Sequence, residues 1–434
     1  MRLSSIAGHV TEVFSIFRIN PAIPADAILR RFFVERKYLG AKDRRSIAEY
    51  YYAIIKNHRR LEARVVDAFP DEQVADGNPD VPIFEAQMVA TLLLMRGIDS
   101  VEVQATFADI DLPFPLTNME RLGDDELERE RLEKLSLIER LAILYSFPTW
   151  FAVHIGAEYG MDAVEPILAS LNQEAPLSLR ANTLLTTREI LQEELRQEGF
   201  EGSFSMIAPD ALTIGRRISA LSLESFRRGL FEVQDEASQL VVPFAQIRKT
   251  AIKALDACAG AGGKTLHLSA LMKNHGEIYA TDVEARKLEE LKVRSRRSSA
   301  QNIRIVVPVQ KEKMLGEDKT EWFDLVLLDV PCTGTGTLRR NPGIKWVLTE
   351  QMLSELLQKQ QIILEENARF VKPGGTMLYA TCSLLKEEGE DQLKWFVEAH
   401  PEFILEETRR TRTDIEGCDG FFVARLKKTA SAST

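Results

Sequence analysis

Three side chains able to do covalent or acid–base chemistry stand at the ends of two hydrophobic runs. Leu325-Val326-Leu327-Leu328 runs into Asp329-Val330-Pro331-Cys332, and Tyr379-Ala380-Thr381 runs into Cys382. A thiolate is a strong nucleophile near neutral pH, and a carboxyl group can hold or accept a proton. A lone thiol is most often a small buried hydrophobe. Two thiols and an acid at two strand ends are harder to assign to packing, because the carboxyl ends of neighbouring strands in an open sheet face one cleft. Cys258 and Cys418 complete the set of four cysteines. Their spacings of 74, 50 and 36 residues match neither a disulfide framework nor a zinc module, and histidine is scarce, at six. No metal is expected, and the absence of a C-x-x-C pair disfavours thiol-redox catalysis.

A second site lies upstream. Ala254-Leu255-Asp256-Ala257 leads into Cys258-Ala259-Gly260-Ala261-Gly262-Gly263-Lys264-Thr265, a strand, a Gly-rich turn and a helix start. Glycines let the backbone turn sharply and approach a ligand. The spacing fits neither the phosphate loop G-x-x-x-x-G-K-[ST] nor G-x-G-x-x-G. The next strand, Ile278-Tyr279-Ala280-Thr281, ends in Asp282, placed to accept from a ribose diol or to cap the helix that follows. Loop and acid together point to a dinucleotide or to S-adenosylmethionine, and the missing phosphate fingerprint favours the methyl donor.

These residues need a sheet to hold them. Apolar runs at 253–257, 277–281, 303–307, 323–328, 375–380 and 421–426 alternate with helical patterns such as 284–296 and 350–370, which predicts a mostly parallel sheet covered on both faces. Residues 146–231 read as linker helices and a small α/β module, with a strand near 176–183, a helix over 187–198 capped by Thr186 or Thr187, and short strands at Ile207 and 212–215. Residues 1–145 read as helices. In 43–69, Ile47, Tyr51, Ile54, Ile55, Leu61, Val65 and Val66 form a core stripe, and Arg44, Arg45, Lys56, Arg59, Arg60 and Arg64 fall largely off it. The catalytic domain is expected at 232–428 and a frayed tail at 429–434.

The 434 residues carry a net charge of −10, which argues mildly against nucleic acid. The average hides a basic stretch, +7 over 18–64 (12 Lys/Arg less 5 Asp/Glu), and an acidic one, −16 over 65–174 (6 less 22). A local basic surface can bind phosphate in an acidic protein. No apolar run is long enough to span a membrane, and the first residues carry no cleavage signal, so a cytoplasmic protein is expected.

The chain resembles the bacterial ribosomal RNA (cytosine-C5)-methyltransferases, in the subgroup with an antitermination-factor-like helical N-terminal domain. DACAGAGGKT, DVPCTGTG and ATCS carry the likeness, with Gly229–Ser238 leading into the catalytic domain, then Arg339-Arg340-Asn341-Pro342 with Lys345-Trp346, and the closing Gly420–Ala424. The resemblance implies three parts: an all-helical N-terminal domain, a small α/β module and a class I (Rossmann-like) methyltransferase domain. It implies S-adenosylmethionine as cofactor, bound by residues 258–264, Asp282, Gln310 and Asp329. Cys382 would add to C6 of cytosine, Asp329 would hold the base edge through N3 and the amine, and Cys332 would assist loss of the C5 proton. Arg44, Arg45, Arg59, Arg60, Arg339, Arg340 and Lys345 would meet RNA, and Trp346 would stack or pack. The expected partner is small-subunit ribosomal RNA, naked or in an assembly intermediate, and the expected state a monomer. Transfer RNA as substrate, or a non-catalytic assembly role, are the alternatives. Three departures stand out: Gly260 and Ala261 replace the family's usual alanine and proline, no acid follows the third strand, where Gln310 could serve, and Gly343 replaces an aspartate.

Overall fold

The computed structural model describes residues 1–69, 81–215 and 220–430; of the expected tail, 431–434 lie outside it. The chain packs as two compact units, Met1–Gln173 with Leu338–Thr349, and Glu174–Thr337 with Glu350–Thr434. Helices at 149–172 pack with the helical unit, and a twelve-residue segment from far downstream also belongs to it.

The first unit is helical: α1 (Leu3–Ile19), α2 (Ala25–Glu35), α3 (Ala41–Ala68), α4 (Val81–Met95), α5 (Ser100–Ala108), α6 (Leu116–Leu122), α7 (Asp125–Glu133), α8 (Leu137–Leu144), α9 (Thr149–Tyr159) and α10 (Met161–Asn172). The α3 stripe is buried as its spacing requires, except Val66, which is exposed. Asp124 accepts from the amides of Glu126 and Leu127 and so starts α7, and Ser136 with Glu139 forms a capping box for α8. The acidic run at 124–133 is more than a solvated face. Glu128, itself buried, takes Arg60 in two hydrogen bonds of 2.8 and 2.7 Å and Arg64 in another of 2.5 Å. Arg64 also reaches the carbonyl of Leu122. A buried guanidinium needs such partners, because an unpaired charge there is strongly destabilising.

The second unit holds two sheets. The smaller is antiparallel, in the order β2 (Ser203–Phe204), β3 (Ala211–Ile214), β1 (Leu177–Ala181), β4 (Phe231–Val233). Thr187 caps the helix Arg188–Gln197 by accepting from the Ile190 amide, and Ile207 lies outside any strand. The larger sheet runs β10 (Phe403–Thr411), β11 (Phe421–Lys428), β9 (Val371–Thr381), β8 (Phe323–Asp329), β5 (Lys253–Asp256), β6 (Glu277–Thr281), β7 (Ile303–Val306). From β9 to β7 all pairs are parallel, and β11 and β10 are antiparallel. Its inner strands read as unbroken apolar runs because helices bury both faces. β10 escapes sequence reading because it is an edge strand whose middle residues, from Ile404 to Arg409, are all exposed.

Candidate active site

The carboxyl ends of β5, β6, β8 and β9 deliver the chemistry of the second unit. β8 and β9 are parallel neighbours with Asp329 opposite Ala380, so the turns that follow them meet. Cys332 and Cys382 come together with 3.4 Å between sulfurs. Both are half-buried. The Cys332 thiol is held well above its ordinary pKa, first by its hydrogen bond with Cys382, then by burial and by the charges of Cys382 and Glu388. It therefore keeps its proton in the resting site.

Beneath the thiols lies a buried polar network that sequence reading missed. Glu388 accepts from the Thr333 amide at 2.9 Å, from the Thr333 hydroxyl and from Gln360 Nε2 at 3.0 Å. Gln360 also donates to the Pro331 carbonyl at 3.0 Å. The Tyr379 hydroxyl donates to the Glu388 carbonyl at 2.9 Å. On the other strand end, Ser383 Oγ accepts from the Leu385 amide, Thr335 Oγ1 accepts from the Leu384 amide, and the two hydroxyls are 3.0 Å apart. The Gly336 amide donates to the Cys382 carbonyl at 3.0 Å, and a Cβ at Gly336 would stand 1.9 Å from the Gly420 carbonyl oxygen. Both turns are thus fastened to one frame. The threonines and Ser383 stood inside the quoted motifs, but Glu388 sits in the charge-dense KEEGED stretch and gave no signal of burial.

Beside the thiols, Lys264 Nζ donates to Asp329 Oδ2 at 2.6 Å, and its ammonium lies over the Phe421 ring. Lys264 is thereby tied to the end of β8. Asp329 Oδ1 has no hydrogen bond among the described residues. Asp256, at the end of β5, accepts from the Thr265 hydroxyl at 2.7 Å; burial and the nearby Asp329 charge push its carboxyl up to about 7.

The Gly-rich loop turns between β5 and the helix Gly263–Leu271. Gly260 and Gly262 adopt positive φ (53° and 91°), and at Gly262 a Cβ would stand 2.2 Å from Leu291 Cδ1. Asp282 serves two ends at once: Oδ2 accepts from the Gly260 amide and Oδ1 from the Glu284 amide, both at 2.8 Å. Each oxygen retains a lone pair for a further donor. Cys258, Ala259, Ala261, Gly263 and Lys264 follow this path around the end of β5. Gln310 is exposed, beyond the end of β7.

The residues expected to meet RNA are distributed otherwise. In the helical unit Arg45 is exposed and Arg44 half-buried, its Nε on the Leu39 carbonyl. Arg59 is committed to the Phe147 carbonyl and Thr149, and Arg60 to Glu128, so neither is a free cation. Lys345 corrects the expectation most clearly. It is 2% exposed and donates to the carbonyls of Lys56 and Tyr145 and to Asn172 Oδ1, with its amine over the Phe147 ring. Burial holds its pKa well below the lysine range. Trp346 packs against Phe14, Phe17 and His58, the packing alternative. Arg339 is also buried, and Arg340 is half-buried.

A parallel sheet with a Gly-rich turn after one strand and an acid closing the next defines a Rossmann-like nucleoside-binding domain. Comparison with known proteins narrows the class. Residues 248–427 match the family described as 16S rRNA methyltransferase RsmB/F, and residues 147–220 match the ferredoxin-like domain of RsmF/B-like methyltransferases. The chain is 30% identical over 428 residues to a probable ribosomal RNA small subunit methyltransferase B of Synechocystis sp., covering 91% of this chain and 93% of that one. It is 33% identical over 318 residues to the ribosomal RNA small subunit methyltransferase B of Yersinia enterocolitica, covering 70% and 71%. Among solved structures, PH0851 aligns over 99% of both chains with a TM-score of 0.77 at 28% identity. A methyltransferase homolog protein from Pyrococcus horikoshii aligns over 68% of this chain and 100% of its own, with a TM-score of 0.60 at 27% identity. The chain belongs to the RsmB/F family of ribosomal RNA methyltransferases. Among the described residues no helix is long and apolar enough to cross a membrane.

Proposed function

We propose that this chain methylates carbon 5 of one cytosine in small-subunit ribosomal RNA, with Cys382 as nucleophile. The observation that carries the reading is the pair of sulfurs 3.4 Å apart, in the cleft where Lys264 holds Asp329. Cytosine C5 is a poor nucleophile, and a thiolate that adds to C6 pushes electron density onto it. A chemistry that needs one sulfur to bond the base and a second to stand beside it accounts for both cysteines.

The residues at the end of β5 and β6 fit the donor: a loop of three glycines leaves room for close approach, and Asp282 keeps acceptor capacity for a diol. S-adenosylmethionine, when bound, supplies the electrophilic methyl group. Asp329 offers Oδ1 to the cytosine edge while Lys264 holds Oδ2, so the carboxyl is fixed in orientation before the base arrives. Cys382 attacks C6. Once its sulfur is bonded to carbon, its charge and its hydrogen bond no longer hold up the Cys332 pKa. Cys332, having released its own proton to water, can then take the C5 proton, directly or through water, so that the C6–sulfur bond breaks and Cys382 leaves as its thiolate. The base must leave any stack to reach this cleft.

Of the cations named from sequence, Arg44, Arg45 and Arg340 remain candidates for holding the RNA backbone. Family membership supports ribosomal RNA as the partner, and a cytoplasmic monomer acting on naked RNA or an assembly intermediate is the simplest setting. The test is methyl transfer from labelled donor to unmodified small-subunit RNA, with bisulfite sequencing of the product, for wild type and Cys382→Ala. One new 5-methylcytosine, absent with the variant, is expected. Methylation of transfer RNA alone would move the substrate. No methylation of either RNA or of assembly intermediates, with no donor binding, would leave a non-catalytic RNA-binding protein.

A further inference from the structure

Two arginines from outside the Gly-rich loop hold its carbonyl groups, Arg180 buried and Arg294 half-buried. Arg294, on the helix Ala285–Arg297, donates from Nη1 to the Ala261 carbonyl at 2.7 Å. Its Nε and Nη2 bond Glu232 Oε2 at 3.2 and 2.9 Å, and Arg297 takes the other oxygen of Glu232. Arg180 donates to the Gly263 carbonyl at 2.8 Å and to the Gln234 side chain. Arg180 and Glu232 are 2% and 3% exposed. They are direct cross-strand partners on β1 and β4 of the small sheet, so both side chains leave the same face.

The loop needs such outside support. Glycine stands at 260, 262 and 263, and no proline fixes any φ between Cys258 and Lys264. A segment of this composition has high backbone entropy, and a ligand that must order it loses affinity by that amount. Arg294 and Arg180 grip the carbonyls at 261 and 263, one on each side of the Gly262 turn, and charge-assisted hydrogen bonds are the strong ones. The anchor on the far side, Glu232, is held by two arginines and is itself buried, which fixes the far end of the Arg294 contact.

We infer that the small sheet is part of the donor site: Arg294, seated on Glu232, and Arg180 are positioning residues that hold the Gly-rich loop in its binding shape. This rests on the reading that the loop binds S-adenosylmethionine. It assigns the small module a task in the methyl-donor half of the reaction, with no direct contact to the donor required.

Arg294→Lys isolates the effect. Lysine keeps a charge beside Glu232 but lacks the fork needed to bond Glu232 and the Ala261 carbonyl together. Ala261→Pro supplies a covalent restraint instead, and costs no hydrogen bond, because the Ala261 amide donates to no group among the described residues. Donor binding to the full chain is measured by calorimetry with S-adenosylmethionine, beside RNA affinity and the melting midpoint. In R294K the Kd for the donor should rise about tenfold, the expected effect of one lost charge-assisted hydrogen bond, with RNA affinity nearly unchanged and the melting midpoint lowered by a few degrees at most. The double variant R294K/A261P should recover most of the loss, while A261P alone changes little. A donor Kd within about twofold of wild type in folded R294K overturns the inference, as does failure of A261P to recover any of the loss. Wild type that binds no donor overturns the reading of the loop itself, a result distinct from either.

Discussion

The Cys332 and Cys382 sulfurs are in contact at 3.4 Å across 50 residues of chain, and the contact keeps a proton on Cys332. In the proposed mechanism, removing Cys332 leaves the nucleophile in place and takes away the group that lets the C5 proton go. Cys332→Ala should therefore accumulate an RNA–protein adduct that survives denaturing electrophoresis. Cys382→Ala and the double variant should form none. An adduct in Cys382→Ala would reverse the two assignments.

Glu388 sits under the same pair, fully buried, accepting from the amide and hydroxyl of Thr333 and from Gln360. Glu388→Gln replaces one acceptor oxygen by a donor group facing other donors. A loss of about 1–3 kcal/mol in unfolding free energy is expected, the usual cost of a mismatched buried polar group. Its negative charge is also one cause of the raised Cys332 pKa. In Cys382→Ala/Glu388→Gln, alkylation of Cys332 should begin at lower pH than in Cys382→Ala; an unchanged pH profile would show that the carboxylate does not act on the thiol.

Asp256 gives a pH signature. Its carboxyl is raised from 3.8 to about 7, by burial first. Between those values the folded chain holds a proton that the unfolded chain releases, so stability falls as pH rises from about 4 to 7 and levels off above. Asp256→Asn, which can still meet the Thr265 hydroxyl, should lose this slope and melt higher than wild type at pH 8. Denaturant unfolding at several pH values checks the sign: a slope kept in the variant would place its origin elsewhere.

Lys345 and Arg45 make opposite predictions. Arg45 is exposed on α3, while Lys345 is spent on three internal acceptors. Arg45→Ala should weaken RNA binding and reduce the slope of log K against log salt by about 0.7–0.9, the value of one phosphate contact. Lys345→Met should leave that slope alone and change the melting midpoint. A reduced slope in Lys345→Met would return this residue to the RNA interface.

Sequence alone determined what is set by local pattern. Parallel strands buried on both faces must be unbroken apolar runs, so β5 to β9 could be read directly, and the end of a strand followed by Asp-Val-Pro-Cys or Thr-Cys-Ser had to open on the ligand side of the sheet. The Gly-rich turn was legible because only glycine tolerates the backbone that Gly262 adopts. Tertiary structure decided which partner each charge takes. Arg60, Arg64 and Lys345 look like solvated cations along the chain, yet each is engaged by groups brought from 58 to 289 residues away. Glu388 reads as one acid in a charged run, and its burial follows from the way β8, β9 and the helix Glu350–Ala368 converge on it. The passage of Leu338–Thr349 into the helical unit has no local signature either, since a short segment shows its period but not the surface that buries it. Through-space pairing in a medium that penalises unpaired charge is the physical reason, and no window of neighbouring residues contains it.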